Sequence, residues 1–231
     1  MKRFLRIAGT ILAGAGLLAA VWALTVWQWQ DPFTALYTSH QQRQLAADYE
    51  HTEAAYVPAL PRRSSVRDEQ RRIARAARRY RARLETGGAV GRLRIPRLDL
   101  NTIVVNGTDE ASLAKGPGRY LGSYVPGEGE LVYIAGHRTT YGAPFANIQR
   151  LRKGDEFTIK VPYGLFVYRV SRHAIVAAGD VDRLRSPGYE VIALQACHPR
   201  FFATERYIVY AKPVRVEPRG GTAYRIGGTP S

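Results

Sequence analysis

The stretch LQACHPRFFATER, residues 194–206, holds the only cysteine of the chain, Cys197, with a histidine beside it and Arg206 at its end. Three chemistries are open to such a thiol: packing as a small hydrophobe, metal ligation, or nucleophilic attack. Free cysteine is among the most buried residue types, which favours packing on composition alone. Metal ligation fits poorly, because one Cys and scattered His give none of the paired spacings of zinc sites. No glycine-rich phosphate or dinucleotide loop is present either. Placement speaks for the nucleophile. Cys197 follows the apolar run VIALQA and precedes Pro199, so it sits at a strand end where the chain leaves the sheet. Loops bordering strand ends are where reactive groups are presented.

A nucleophilic cysteine must reach the thiolate, and a free thiol has a pKa of about 8.5. It needs a basic or cationic neighbour. Of the 5 histidines, His40 and His51 belong to the N-terminal third, far along the chain from the thiol. His198 adjoins Cys197, but successive side chains in an extended segment point to opposite faces. His173 lies in mid-strand. His137 ends an apolar strand within AGHRTTYGAPF, the same local setting as Cys197. Two strand ends at one mouth of a barrel would bring the pair together; a structural histidine in a turn is the alternative. Arg206 opens the strand after the cysteine loop. If those two strands are antiparallel neighbours, Arg206 lies across from Cys197. There a guanidinium can stabilise an oxyanion or hold a substrate backbone. The competing reading is a surface charge, one of 34 Lys and Arg.

The elements that must position these residues begin at Gly87-Gly88, where the texture turns to short β-rich runs broken by Gly and Pro. AVGRLRIPRL, NTIVVNG, GELVYIAG, DEFTIKV, LFVYRVSRHAIVA, YEVIALQAC and ERYIVYAKPVRVE read as strands. A Pro-Tyr-Gly turn joins DEFTIKV to LFVYRVSRHAIVA. DEASLAKG reads as a helical turn and APFANIQRL as a short helix. The pattern predicts a mainly β fold of roughly eight strands, which suits a closed or nearly closed barrel without exposed edges. The tail, PRGGTAYRIGGTPS, is Gly-rich and expected to be flexible from residue 218 to residue 231.

Ahead of the barrel, Met1-Lys-Arg-Phe-Leu-Arg6 is basic, and no charge occurs from Ile7 to Trp27. About 20 apolar residues match the hydrocarbon thickness of a bilayer. A cleaved signal peptide would have a shorter apolar region of about 7–15 residues. Residues 1–28 therefore read as an uncleaved transmembrane anchor, with Trp22, Trp27 and Trp29 toward its far interface. Lys2, Arg3 and Arg6 hold the N-terminus in the cytoplasm and send the remainder out. An arginine-rich run from Arg62 to Arg83 opposes that orientation but lies beyond the reach of positive-inside counting. Residues 29–86 form a polar stem. QRQLAADYEHTEAAY can be helical until Pro58 and Pro61 interrupt it. SSVRDEQRRIARAARRYRARLE reads as a second helix capped by Ser64 or Ser65, packed along the domain, lying along the membrane surface or serving as a solvated basic spacer. The formal net charge of +15 suits anionic partners. Export removes nucleic acid as one of them.

Taken together, AGHRTTYGAPF and LQACHPRFFATERYIV resemble the sortases, cysteine transpeptidases of Gram-positive surfaces. GPGRYLGSYVPGEGELVYIAGHR, residues 116–138, is most similar to the class E group of high-GC actinobacteria. The likeness spans residues 89 to 215. It implies an eight-stranded β-barrel over residues 87–217, with Cys197 as nucleophile, His137 as general acid and base, and Arg206 at the oxyanion. It also implies substrate-binding positions at Tyr120, Thr139, Thr140 and Ala196. Tyr120 matches a tyrosine linked to a preference for Leu-Ala-X-Thr-Gly over Leu-Pro-X-Thr-Gly. Ala196 departs from the family, which usually has Thr before the cysteine. The implied partners are exported proteins with C-terminal sorting signals and a peptidoglycan or pilin amine, at the cell membrane and without metal or cofactor. The rival function is a non-catalytic, membrane-anchored β-domain that binds anionic lipid or wall polymer.

Overall fold

The computed structural model describes residues 2–29, 32–58 and 65–226. Three helices come first: α1 (Lys2–Trp29), α2 (Pro32–Ala55) and α3 (Val66–Arg81). The strands follow as β1 (Ala89–Ile95) and β2 (Leu100–Asn106), then a short helix α4 (Glu110–Lys115), β3 (Gly118–Arg119) and β4 (Leu131–Ala135). The chain continues through β5 (Glu156–Val161), β6 (Gly164–Ala177), β7 (Val191–His198), β8 (Glu205–Pro218) and β9 (Tyr224–Arg225).

The strands pair in the order β6-β5-β1-β2-β3-β4-β7-β8, and β6 pairs back onto β8 to close an eight-stranded barrel, with β9 added outside the ring. Alternation explains the closure. Inward positions such as Leu93, Ile134, Phe157, Phe166, Leu194 and Val209 form one buried core, while β6 exposes Arg169, Arg172 and Ile175 in between. β4 and β7 depart from simple alternation: every residue of β4, and Val191 to Ala196 of β7, is buried. Strands that read as continuous apolar runs are covered on both faces. Here the second face carries a smaller cluster of Leu131, Tyr133, Val191, Ala193, Ile208 and Tyr210, with Leu184 packed against it.

The stem is part of the domain rather than a solvated spacer. Ile73 and Ala77 of α3 belong to the barrel core. Burying an isoleucine side chain is worth about 1.5–3 kcal/mol. Ser65 starts α3 with a reciprocal capping box to Asp68; Ser64 and Pro61, also singled out from sequence, lie outside the described residues. On α2, Tyr49 is buried and donates its phenol to Lys160 O at 2.9 Å. Gln42 spans Ile103, Thr102 and Lys115 through both ends of its amide. α1 is apolar over Lys2–Ala23 and unburied, which fits a membrane anchor by length and composition.

Two further expectations change. APFANIQRL forms only a 3-10 turn at Ile148–Arg150. Ala143 has φ 39° and lies outside the turn; the three-residue spacing of Phe145, Ile148 and Leu151 is met by the tighter 3-10 geometry. The tail is not wholly free either. Tyr224 and Arg225 pair with Val216 and Arg215, and Tyr224 is buried. The remaining tail, residues 227–231, lies outside the described residues.

Candidate active site

The register of three neighbouring strands brings the chemistry-bearing residues to one level. In the antiparallel β7–β8 pair, Cys197 lies opposite Arg206. β4 runs parallel to β7 with Ala135 beside Gln195. That ladder continues one step, Gly136 N–H donating to Gln195 O at 2.9 Å, so His137 follows at the level of Cys197. Residues level with each other in paired strands share a face. His137, Cys197 and Arg206 therefore stand on the outer face of the barrel. Below them come Ala135, Gln195 and Ile208, then Tyr133, Ala193 and Tyr210, then Leu131 and Val191. The three polar groups thus stand at one end of a face whose next layers are apolar and buried.

Cys197 and Arg206 are both half-buried. Arg206 folds back over the turn between β7 and β8, its Nη1 donating to Ala203 O at 2.7 Å and Glu205 O at 2.9 Å. One nitrogen of the fork is thus fixed, and the rest of the guanidinium keeps donors for a ligand. His137 leaves the ladder and enters a loop. Phe145 N–H donates to His137 O at 3.1 Å, and the Phe145 ring packs so closely on Gly136 that a Cβ there would meet it at 2.6 Å. The Tyr141 ring lies 5.0 Å from the imidazole, centroid to centroid. His137 Nε2 is buried and makes no hydrogen bond among the described residues. Burial holds the imidazole below the ordinary histidine value, with Glu110 pulling weakly the other way. The resting ring is therefore neutral at neutral pH and can receive a proton.

Tyr120 is half-buried and edge-on to Tyr133, 6.4 Å between centroids, packed against the outer apolar cluster. Thr139 and Thr140 lie in the His137 loop, both half-buried, and Thr140 O accepts from Ala143 N–H at 2.8 Å. Ala196 is different. Its side chain is wholly buried in the barrel core, because it alternates with Cys197, so only its backbone borders the outer face. His198 also points away from Cys197, meeting Arg138 and Tyr207, as strand alternation requires. His173 bonds Tyr207 through Nδ1 at 2.7 Å.

Two contacts at the site have no counterpart in the sequence reading. Arg138, buried, donates from Nη1 to Cys197 O at 3.1 Å and from Nη2 to Gln149 Oε1 at 2.9 Å; its Nη1 also meets His198 Nδ1 at 3.0 Å. It ties the segment carrying His137 to the segment carrying Cys197. Thr34 of α2 accepts the Tyr141 N–H at 2.9 Å. Tyr141 has φ 52°, in the left-handed region that non-glycine residues adopt only when held there. Arg138 stands beside His137 in AGHRTTYGAPF, so its proximity was available from sequence. Thr34, 107 positions from Tyr141, left no such trace.

Comparison with known proteins adds to this geometry. The family model described as "Sortase domain" matches residues 93–214. Sortase D of Bacillus subtilis is 36% identical over 134 residues, which cover 56% of this chain and 66% of that protein. The crystal structure of Sortase E1 from Streptomyces coelicolor with a tripeptide in the active site is similar at a TM-score of 0.55 and 27% identity, over 59% of this chain and 94% of that one. The Clostridium perfringens Sortase D5 transpeptidase shares the fold at a TM-score of 0.62 and 21% identity, over 76% of this chain and 99% of that one. The likeness extends to relatives of both D and E designation.

Proposed function

Since this chain belongs to the sortase family, we propose that it is a membrane-anchored cysteine transpeptidase acting on exported proteins. It cleaves a Leu-Ala-X-Thr-Gly or Leu-Pro-X-Thr-Gly sorting signal between Thr and Gly. It then joins the Thr carboxyl to an amine of a peptidoglycan precursor or a pilin. α1 holds the enzyme in the membrane, with Lys2, Arg3 and Arg6 on the cytoplasmic side and the barrel outside.

The chemistry runs through a thioester. Neutral His137 takes the Cys197 proton as the sulfur attacks the Thr carbonyl and a C–S bond forms. The negative charge that develops on the carbonyl oxygen is met by Arg206. The C–N bond then breaks, and His137 returns its proton to the leaving glycine amine. An acceptor amine attacks the thioester, His137 takes the proton it loses, and Cys197 departs as thiolate or thiol. The unpartnered His137 Nε2 is the atom suited to both transfers.

The observation that supports this reading is the common level of Cys197, His137 and Arg206 across β4, β7 and β8. The test is turnover by the full chain in neutral detergent, given a Leu-Ala-X-Thr-Gly peptide and triglycine. The expected products are a free Gly-terminated fragment and a Thr–triglycine conjugate. Intact peptide after prolonged incubation with folded protein, for the Ala and the Pro form of the motif alike, contradicts the proposal.

A further inference from the structure

The arginine-rich run of the stem takes no part in the site described above. Within α3 the helical period sorts its cations into two groups. Glu69, Ile73 and Ala77 form the face docked on the barrel. Arg72 and Arg81, on the flanks of that face, each meet a carboxylate, Glu69 at 2.6 Å and Glu128 at 2.7 Å. Arg67, Arg71, Arg75, Arg78 and Arg79 are all exposed on the opposite, solvent side. Among the described residues none of them is ion-paired or hydrogen-bonded to a carboxylate. Asp68, the one acid on that side, is taken up by the Ser65 hydroxyl at 2.7 Å and the Ser65 N–H at 3.2 Å, with Arg71 a weaker influence on it.

Arg67, Arg71, Arg75 and Arg79 stand four residues apart, so they form a ridge about 18 Å long with a cation roughly every 6 Å. Like charges one turn apart destabilise a helix. On the barrel surface the opposite pattern holds: Arg92, Arg97, Arg169 and Arg215 pair with Glu50, Asp155, Glu156 and Glu217. The docked side of α3 is neutralised, and its solvent side keeps uncompensated charge on a rigidly held helix.

We propose that this ridge is a docking surface for a linear phosphodiester polymer outside the membrane, a poly(glycerol phosphate) chain. Such a chain repeats a single negative charge at regular intervals, and a row of guanidinium forks can follow it without a pocket. Two observations favour the polymer over the bilayer. A helix that binds a membrane surface sinks its apolar face into the lipid, whereas Ile73 and Ala77 of α3 are spent in the barrel core. Val66, its exposed large apolar side chain, stands seven residues before Ile73 and so on the docked side. Second, the first half of α3 lies beside the far end of α2. Arg72 donates to Arg219 O at 3.3 Å, and Arg219 donates to Glu53 O. Glu53 is about 30 Å along α2 from Pro32, where the chain arrives from its membrane helix. The inference takes the outward placement of the barrel from the reading above and uses no step of the acyl transfer.

Binding is therefore measured on the inactive chain. Full-length Cys197→Ala protein in neutral detergent is titrated with fluorescent poly(glycerol phosphate). The logarithm of the affinity should fall against that of salt concentration with a slope of about −3, the scale of four to five phosphate contacts on a single-stranded chain. Arg71→Gln, Arg75→Gln and Arg79→Gln together should weaken binding at least about tenfold at low salt and flatten the slope by about 2. The unfolding midpoint should stay the same or rise, because repulsion is removed. A control of equal charge, Arg92→Gln, Arg97→Gln and Arg169→Gln together, should weaken binding less than about twofold. No binding, or equal losses in the two triple variants, overturns the docking surface. In nanodiscs containing phosphatidylglycerol, a nitroxide at Ala82→Cys, exposed four residues after Arg78, should stay open to a water-soluble nickel relaxant. A signal at lipid depth overturns polymer docking and assigns the ridge to the bilayer. Polymer binding by the ridge, with no sorting peptide cleaved by the wild-type chain, upholds the docking surface and removes the transpeptidase reading instead.

Discussion

Two regions deliver the site, and they are built on different principles. Cys197 and Arg206 stand on adjacent strands, opposite each other in a ladder that runs from His198 to Ile192. Their relation is set by backbone hydrogen bonds that a side-chain change leaves in place. His137 begins where its ladder ends. Its position depends on Phe145 against Gly136, on Arg138 reaching Cys197 O, and on Thr34 holding the left-handed Tyr141. One half of the site is fixed by register and the other is propped by side chains, some from a helix far away in sequence. Cys197, the proposed nucleophile, is thus held by backbone pairing, while His137, the proposed acid–base group, rests on side-chain contacts.

That contrast can be broken most severely at His137 itself. His137→Ala should lower kcat for peptide cleavage by about 10²–10⁴, the usual weight of a general acid–base group, while far-UV circular dichroism stays unchanged. On the ladder side, Arg206→Lys retains charge but loses the planar fork. A loss of about 10² in kcat, with a smaller change in KM, would match a donor that acts on developing charge. A loss confined to KM would instead assign Arg206 to ground-state binding.

Arg138→Met tests the propping directly. It leaves the Cys197 carbonyl and Gln149 without their donor, so a stability loss of about 2–4 kcal/mol is expected in urea titration. At a temperature where the variant is folded, kcat should also fall, and the pH profile of Cys197 alkylation should change shape. An unchanged profile would reduce Arg138 to a packing role. Thr34→Val removes one acceptor from a strained loop. A drop of roughly fivefold in kcat/KM, equivalent to about 1 kcal/mol, is expected with no change in the unfolding midpoint.

The smallest effect concerns charge on the loop half. Burial depresses the His137 pKa, so its NMR titration midpoint should lie below the free value of about 6.5. Glu110→Gln should move it slightly lower still. The sign for stability follows. The fold favours the neutral ring, so this contribution is complete above about pH 6.5 and is lost as pH falls through the depressed value. Wild type should lose more stability than His137→Gln between pH 7 and pH 5. A midpoint above 6.5 would mean that the loop exposes or ion-pairs the ring.

The same division explains what could be read from the sequence. Alternating apolar residues mark β1 and β5, continuous apolar runs mark β2 and the middle of β8, and the strand ends at Cys197 and His137 follow from where the apolar runs stop. β3 spans only Gly118 and Arg119, too short for any period to show. The short helix expected at APFANIQRL is confined to a 3-10 turn at Ile148–Arg150, within a loop where Ala143 takes a positive φ. The docking of α2 and α3 was open because their buried positions, such as Tyr49, Ile73 and Ala77, are sparse among charged neighbours. Arg138 could not be told from the other cations, since a bond to Cys197 O depends on β4 lying beside β7. Ala196 shows the reverse: alternation already places it opposite Cys197 in facing, inside the core.

The most direct test of the account is to trap the acyl-enzyme. Full-length protein is mixed with a Leu-Ala-X-Thr-Gly peptide, quenched in acid and digested, and the fragment containing Cys197 is weighed. The account predicts a mass increase equal to the peptide up to its Thr, carried on Cys197, removed by hydroxylamine and absent from Cys197→Ala. An unmodified Cys197 fragment from folded protein, or an adduct on any other residue, would contradict it.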